Sequence, residues 1–277
     1  MRLAFMIGAV LGAQVGATEI DSFTLRGSQM QDSVLGLNSL MQGYFDQALI
    51  RANQAKSCEP KIIENALYDV SGGQTWAKIE LAIGDSKWID HRRVLRGDSI
   101  YQEISFFDAY ALYIAQLGYL MKIQDYYVGS DKIGHFIGIG YTYYQYPSLS
   151  EAMDFGELTE RTYFGLNTTA IYSYADLIAN YEGYLFWNRV AKSENPYFIC
   201  RNNSWKQQAE FTWLDYMSPA WDEGINCSYY KTKEIEDSVQ KRIHDLGFSC
   251  PIDKKYCPAM KEHYGDIAAR LITAECF

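Results

Sequence analysis

Glu151, Glu157 and Glu160 share one stretch between Pro147 and Gly165, and a carboxylate placed there could do acid–base work. A carboxyl at the lip of a cleft loses part of its hydration. That keeps its proton on near neutral pH, as an acid that cleaves a glycosidic bond requires. Glu151 has a local use, because Ser148-Leu149-Ser150-Glu151 reads as a capping box that starts a helix near Leu149. Glu157 precedes Glu160 by three residues, so both can lie on one helical face. Glu160 stands where that helix must give way to the next segment, and a helix C-terminus disfavours negative charge and so raises a carboxyl pKa. A solvated acidic helix end would account for the same residues without chemistry.

Asp131 and His135 form a second candidate, four residues apart within Gly129-Ser130-Asp131-Lys132-Ile133-Gly134-His135-Phe136. On a helix they share a face and could hold a metal or relay a proton. A polar helix start followed by a partner for a buried histidine explains the same letters more simply. Gly134, Gly138 and Gly140 fit close helix packing, since neither a GxxxxGK[ST] run nor a strand-associated GxGxxG is present.

The elements that must position Glu160 follow from the letters around it. After the helix, Thr162, Tyr163 and Phe164 favour a strand; Ala170, Ile171 and Tyr172 would return after a turn near Asn167, giving a small hairpin. A second capping box, Ser173-Tyr174-Ala175-Asp176, opens another helix with Leu177, Ile178, Tyr181, Leu185 and Phe186 on its buried face. Tyr163, Tyr172, Ser173 and Tyr174 would then wall a groove and bind its occupant. Upstream, residues 34–56 carry Leu37, Leu40, Met41, Phe45, Ala48 and Leu49 at helical spacing, 57–74 read as irregular around Pro60 and Gly72-Gly73, and 101–123 form the most apolar helix candidate.

Composition narrows the class. The chain has 277 residues, 48% hydrophobic and 21% charged, which supports a globular domain with a sizeable core. Residues 1–17 run from Met1-Arg2 through an apolar stretch to Val15-Gly16-Ala17, the pattern of a removable secretory signal, and the apolar run is short for a spanning helix. Residues 18–277 would then form one exported domain, periplasmic or secreted, monomeric and without stable membrane insertion. The formal charge of −9 becomes one unit more negative once Arg2 is removed. Such a field repels nucleic acid and anionic lipid and draws in a cationic polymer, although net acidity also serves solubility. The 23 tyrosines suit surfaces that stack on sugars.

Six cysteines, Cys58, Cys200, Cys227, Cys250, Cys257 and Cys276, suggest up to three disulfides in an oxidising compartment, and the sequence does not choose the pairing. Five of them make residues 200–277 a stapled, loop-rich C-terminal part, while Cys58 must reach across a long loop. No close CxxC or HxxxH pair speaks for zinc, and no cofactor motif is seen.

Glu160, Gly165, Thr168-Thr169 and Ser173-Tyr174-Ala175-Asp176-Leu177 with Ala179-Asn180 and Gly183 resemble the lysozyme superfamily, and more narrowly the divergent lysozymes that predatory bacteria direct at deacetylated peptidoglycan. Phe211-Thr212-Trp213-Leu214-Asp215-Tyr216, Ala220-Trp221-Asp222-Glu223-Gly224-Ile225-Asn226-Cys227, Asp131-Lys132 and His135-Phe136 are similar to that group too, so the likeness covers roughly residues 125–230. It implies a mainly α, lysozyme-like helical domain with a small β-hairpin at the active site. It also implies hydrolysis of β-1,4 bonds between cell-wall amino sugars in peptidoglycan glycan strands. Glu160 would protonate the leaving oxygen. No second carboxylate is evident in the hairpin; Asp176 is consumed by its cap, Asp222 and Glu223 are the next choices, and Thr168 or Thr169 could instead hold a water. Two rivals stand beside this reading: a non-catalytic exported envelope protein that binds glycan or a protein partner, and a metal-dependent hydrolase using Asp131 and His135.

Overall fold

The computed structural model describes residues 19–73 and 76–277, so the expected secretory signal at 1–17 lies outside the described residues. α1 (Val34–Gln54) buries Leu37, Met41, Phe45 and Ala48 at the spacing read from the sequence. The stretch expected to be irregular is instead a helix, α2 (Pro60–Ser71), with Ile63, Leu67 and Val70 buried on one face. Pro60 occupies its first turn, where a missing N–H costs nothing, so the proline begins this helix and does not break it. α3 (Lys78–Asp85) follows.

The apolar run at 101–123 is not a long helix. Only α4 (Ala111–Ile114) is helical there, amid turns, and residues 120–123 form a strand. Phe107 is 94% exposed, and Ile100, Tyr101, Ile104, Leu112 and Leu117 bury themselves in a second, smaller core without helical periodicity. A three-stranded antiparallel sheet joins β1 (His91–Arg92), β2 (Leu120–Ile123) and β3 (Tyr126–Gly129).

β3 feeds directly into α5 (Ser130–Gln145), then α6 (Leu149–Arg161), β4 (Ile171–Tyr172) and α7 (Tyr174–Ala191). Both expected caps form: the side chains of Ser148 and Ser173 accept from the backbone N–H groups of Glu151 and Asp176. Leu185, expected on the buried face of α7, is 39% exposed, while Leu177, Ile178 and Phe186 are buried. α5 and α7 cross at the centre of the protein with Gly140 against Gly183; a Cβ on Gly183 would fall inside the carbonyl oxygen of Phe136. This close crossing sets α5 and α7 side by side, with Asp131 and His135 facing Asp176 and Asn180.

No hairpin forms at 162–172. Residues 162–169 coil as successive turns, with the N–H of Leu166 donating to the Glu160 carbonyl and those of Thr168 and Thr169 to the Gly165 carbonyl. β4 pairs instead with β7 (Tyr229–Tyr230), antiparallel, Ile171 opposite Tyr230. Gly165 makes the coil possible, since a Cβ there would collide with the carbonyl oxygens of Glu160 and Ile171. Strand propensity was read correctly for residues 171–172; the partner is remote.

The remainder comprises the hairpin β5 (Phe198–Arg201) and β6 (Ser204–Gln207), then α8 (Lys233–Asp245), α9 (Cys257–Tyr264) and α10 (Ala268–Leu271). Disulfides pair Cys58 with Cys200, Cys227 with Cys250 and Cys257 with Cys276, so the C-terminal part is stapled twice internally and once, across 142 residues, to the segment preceding α2. No helix among the described residues is long and apolar enough to cross a membrane.

Candidate functional site

Lys132 organises the polar interior. It is fully buried near the start of α5, and its Nζ lies 2.9 Å from Asp131 Oδ2, 2.5 Å from Asp176 Oδ1 and 2.6 Å from Glu223 Oε1. Burial alone would strip the proton from the amine, but the ring of carboxylates more than reverses this and holds its pKa well above the ordinary lysine value. One cation cannot neutralise the five buried carboxyls nearby. The excess is relieved by protons: burial raises Glu19 and Glu160 well above the ordinary carboxyl range, with the Asp176 charge adding to both, and burial lifts Glu223 to about 7. Asp176 is held in its ionised form. Burial pushes its pKa upward, but His135 and Lys132 outweigh burial and lower it.

A cleft of about 250 Å³ opens beside this cluster. Trp76, Tyr110, Tyr163 and Phe164 give it aromatic walls, and Glu80, Asp131, His135, Thr168, Thr169 and Asp176 supply polar groups. His135 is held from two sides, its Nδ1 3.0 Å from Asn180 Oδ1 and its Nε2 3.4 Å from Asp176 Oδ2. The histidine partner is thus on α7, and Asp131 four residues earlier serves Lys132. Among the described residues no group of three or more His, Cys, Asp or Glu has an arrangement that could hold a metal ion.

Glu160 does not project openly into a groove. It is 2% exposed in the last turn of α6, and one carboxylate oxygen accepts from the Ser173 N–H at 3.2 Å. Burial, more than the helix terminus, raises its pKa. Glu157, on the neighbouring turn, is taken up by Arg270 Nε at 2.5 Å and does not line the cleft. Asp222 is a structural residue, paired with the Arg26 guanidinium and accepting from the Tyr127 and Gly224 N–H groups. Glu223 joins Lys132 and accepts from Ser173 Oγ at 2.9 Å. Thr168 and Thr169 do reach the cleft, where Thr169 Oγ1 donates to Glu19 Oε1 at 2.7 Å.

Of the four expected binding residues, Tyr163 alone lines the cleft. Tyr172 is buried against Tyr229, ring centroids 4.4 Å apart; Ser173 is buried as cap and donor; Tyr174 packs edge-on to Tyr172. Glu19, Trp76, Glu80 and Tyr110 escaped the sequence reading. Their segments carry no local signal linking them to Glu160, because they come from parts of the chain brought together only by tertiary packing. Lys132 did leave a trace, as a lone cation inside an apolar, glycine-spaced run.

Glu19, Glu160 and Glu223 make stability depend on pH. Each folded-state pKa lies above the ordinary glutamate value of 4.5, so the native state binds more protons than the unfolded chain over that interval. Their contribution is complete below pH 4.5 and is lost as pH climbs through the folded values, about 7 for Glu223. The thermal midpoint should fall by several degrees between pH 4.5 and 7.5; scanning calorimetry in a buffer series checks this, and a flat or rising profile contradicts it. Asp176 works in the opposite sense, but only near and below its ordinary value of 3.8.

Comparison with known proteins finds no matching family model, no matching curated protein and no matching solved structure.

Proposed function

We propose that this protein is an exported, lysozyme-like glycoside hydrolase that cleaves β-1,4 bonds between cell-wall amino sugars, with Glu160 as general acid and deacetylated glycan as preferred substrate. The observation that carries the reading is a buried carboxyl, Glu160, whose pKa desolvation raises well above the ordinary value and which feels the charge of Asp176, a residue lining a cleft with aromatic walls; Glu160 itself is not among the lining residues. Aromatic rings stack on sugar faces, and Asp176, ionised at neutral pH, attracts the ammonium that deacetylation exposes. The net charge of −9 draws a polyamine glycan to the protein as a whole. Three disulfides fit an oxidising, extracytoplasmic setting.

Catalysis would require the Glu160 carboxyl to move from the Ser173 amide into the cleft once glycan has displaced water. The proton then passes to the glycosidic oxygen as its bond to the anomeric carbon breaks. The withdrawn position of Glu160 also suits the second reading, a non-catalytic envelope protein that binds glycan in this cleft. Purified protein is expected to solubilise deacetylated sacculi at least about tenfold faster than acetylated ones, a discrimination of the size one charge contact can supply. Release of reducing ends measures it. No release from either wall, with binding retained, would favour the binder.

A further inference from the structure

We propose that a groove beside the second, smaller core binds an amphiphilic anion, a phosphate or carboxylate group carrying an apolar tail, and that Arg93 and Arg96 hold its charge. The groove has a volume of about 230 Å³ and lies between the segment that follows β1 and the segment around α4. None of its described lining residues belongs to the cleft beside Lys132, so the inference is independent of the glycosidase reading.

One end of the groove is cationic. Arg93 and Arg96 line it with the Gln116 amide, and there is no carboxylate among the described lining residues. The chain has a formal charge of −9, and Arg26, Arg92, Arg189 and Arg270 each pair with an acid. The two groove arginines donate instead to neutral oxygens, Arg93 Nη1 to Gln116 Oε1 and Arg96 Nη1 to the Gln102 carbonyl at 3.1 Å. A guanidinium has more donors than one such bond uses, and Gln116, accepting through its oxygen, keeps its amide hydrogens to donate. Ring faces position both cations: Arg93 Cζ lies 4.8 Å from the centroid of Tyr119 and Arg96 Cζ 3.9 Å from that of Tyr113. These contacts restrict the side chains before a ligand arrives and so lower the ordering cost of binding.

The other walls are apolar, from Val94, Leu95, Leu112 and Leu117. Leu112 and Leu117 belong to the buried core, whereas Leu95 is 70% exposed. Tyr113, also on the groove, meets Phe106 edge-on at 5.4 Å, and Phe106 meets Phe107 in the same way, so apolar surface continues beyond the groove. A bare anion would use only the cationic end and a neutral tail only the walls; a ligand with both matches the whole groove. The net negative charge of the chain opposes an anion at long range, but salt screens that field beyond roughly 8 Å, and at contact the adjacent guanidiniums dominate.

Calorimetric titration of the full chain with decyl phosphate, below its micelle concentration, tests the site, with inorganic phosphate and the neutral decyl dimethyl phosphine oxide as comparisons. Decyl phosphate is expected to bind at least about tenfold more tightly than either, since each comparison keeps only part of the contacts. Arg93→Gln combined with Arg96→Gln should lower that affinity at least about tenfold and abolish the preference over the phosphine oxide, with the thermal midpoint unchanged. Leu95→Asp, at an exposed position, should lower it too, and Arg201→Gln, an exposed arginine elsewhere, should not. If the double variant loses its fold, Leu95→Asp decides. Co-sedimentation with phosphatidylglycerol but not phosphatidylcholine vesicles, lost in the variants, assigns the anion to a lipid head in a bilayer; decyl phosphate binding with no vesicle capture assigns it to a soluble amphiphile. No binding of decyl phosphate, equal affinity for the phosphine oxide, or wild-type affinity in the folded variants overturns the proposal.

Discussion

Glu160→Gln should abolish lysis of deacetylated cell wall, with kcat falling about 10²- to 10⁴-fold, the range contributed by a positioned general acid. The protein should fold as well as before. Burial raises the pKa of Glu160 well above the ordinary carboxyl value and so favours the neutral form, whose shape and charge glutamine reproduces. The amide oxygen can still accept from the Ser173 N–H. At high pH the variant should even be the more stable of the two, since glutamine cannot ionise in a desolvated site. Glycan affinity should persist, because the aromatic walls are untouched. Turbidity loss of deacetylated sacculi, paired with a thermal melt, reads both halves of the expectation. Lysis at the wild-type rate would remove Glu160 from the mechanism.

Lys132→Met is expected to be the most damaging single change to stability in the site. The substitution keeps the volume but deletes the one cation that Asp131, Asp176 and Glu223 share. Breaking a buried pair by removing one partner typically costs about 3–5 kcal/mol. For a domain of this size, with roughly 2–4 °C per kcal/mol, the midpoint should drop on the order of 10 °C. The loss has a pH signature that separates electrostatics from packing. In the variant the three carboxylates can relieve their repulsion only by taking up protons, so the deficit should shrink at pH 4.5 and widen at pH 7.5. A midpoint within a degree of wild type at both pH values would mean that the lysine does not bind the cluster together.

Features that depend on near neighbours in the chain were legible in the sequence. The periodicity of Leu37, Met41, Phe45 and Ala48 gives α1, and the two capping boxes place the starts of α6 and α7 to the residue. Glu160 at the end of α6 follows from the same local bookkeeping. Errors arose where a local pattern had more than one tertiary use. Pro60 could break or begin a helix, and burial of Ile63, Leu67 and Val70 against the core chose the latter. The apolar stretch 101–123 had the composition of a core helix, but its residues split between a second core and the surface, which a helix of one face could not satisfy. Residues 171–172 had strand character, yet only the fold supplies Tyr229-Tyr230 as their partner.

By itself, the sequence determined that this is an acidic, tyrosine-rich, cysteine-bearing domain of capped amphipathic helices with a carboxyl at one helix end, because charge, capping and periodicity are properties of adjacent residues. Only the tertiary structure decided what that carboxyl is. The crossing of α5 and α7 at Gly140 and Gly183 brings Lys132, Asp176 and His135 together, the later chain delivers Glu223, and α3 brings Glu80 to the wall of the same cleft. Desolvation and the mutual repulsion of buried carboxyls set which acids keep their protons, and both are sums over neighbours that are distant in sequence.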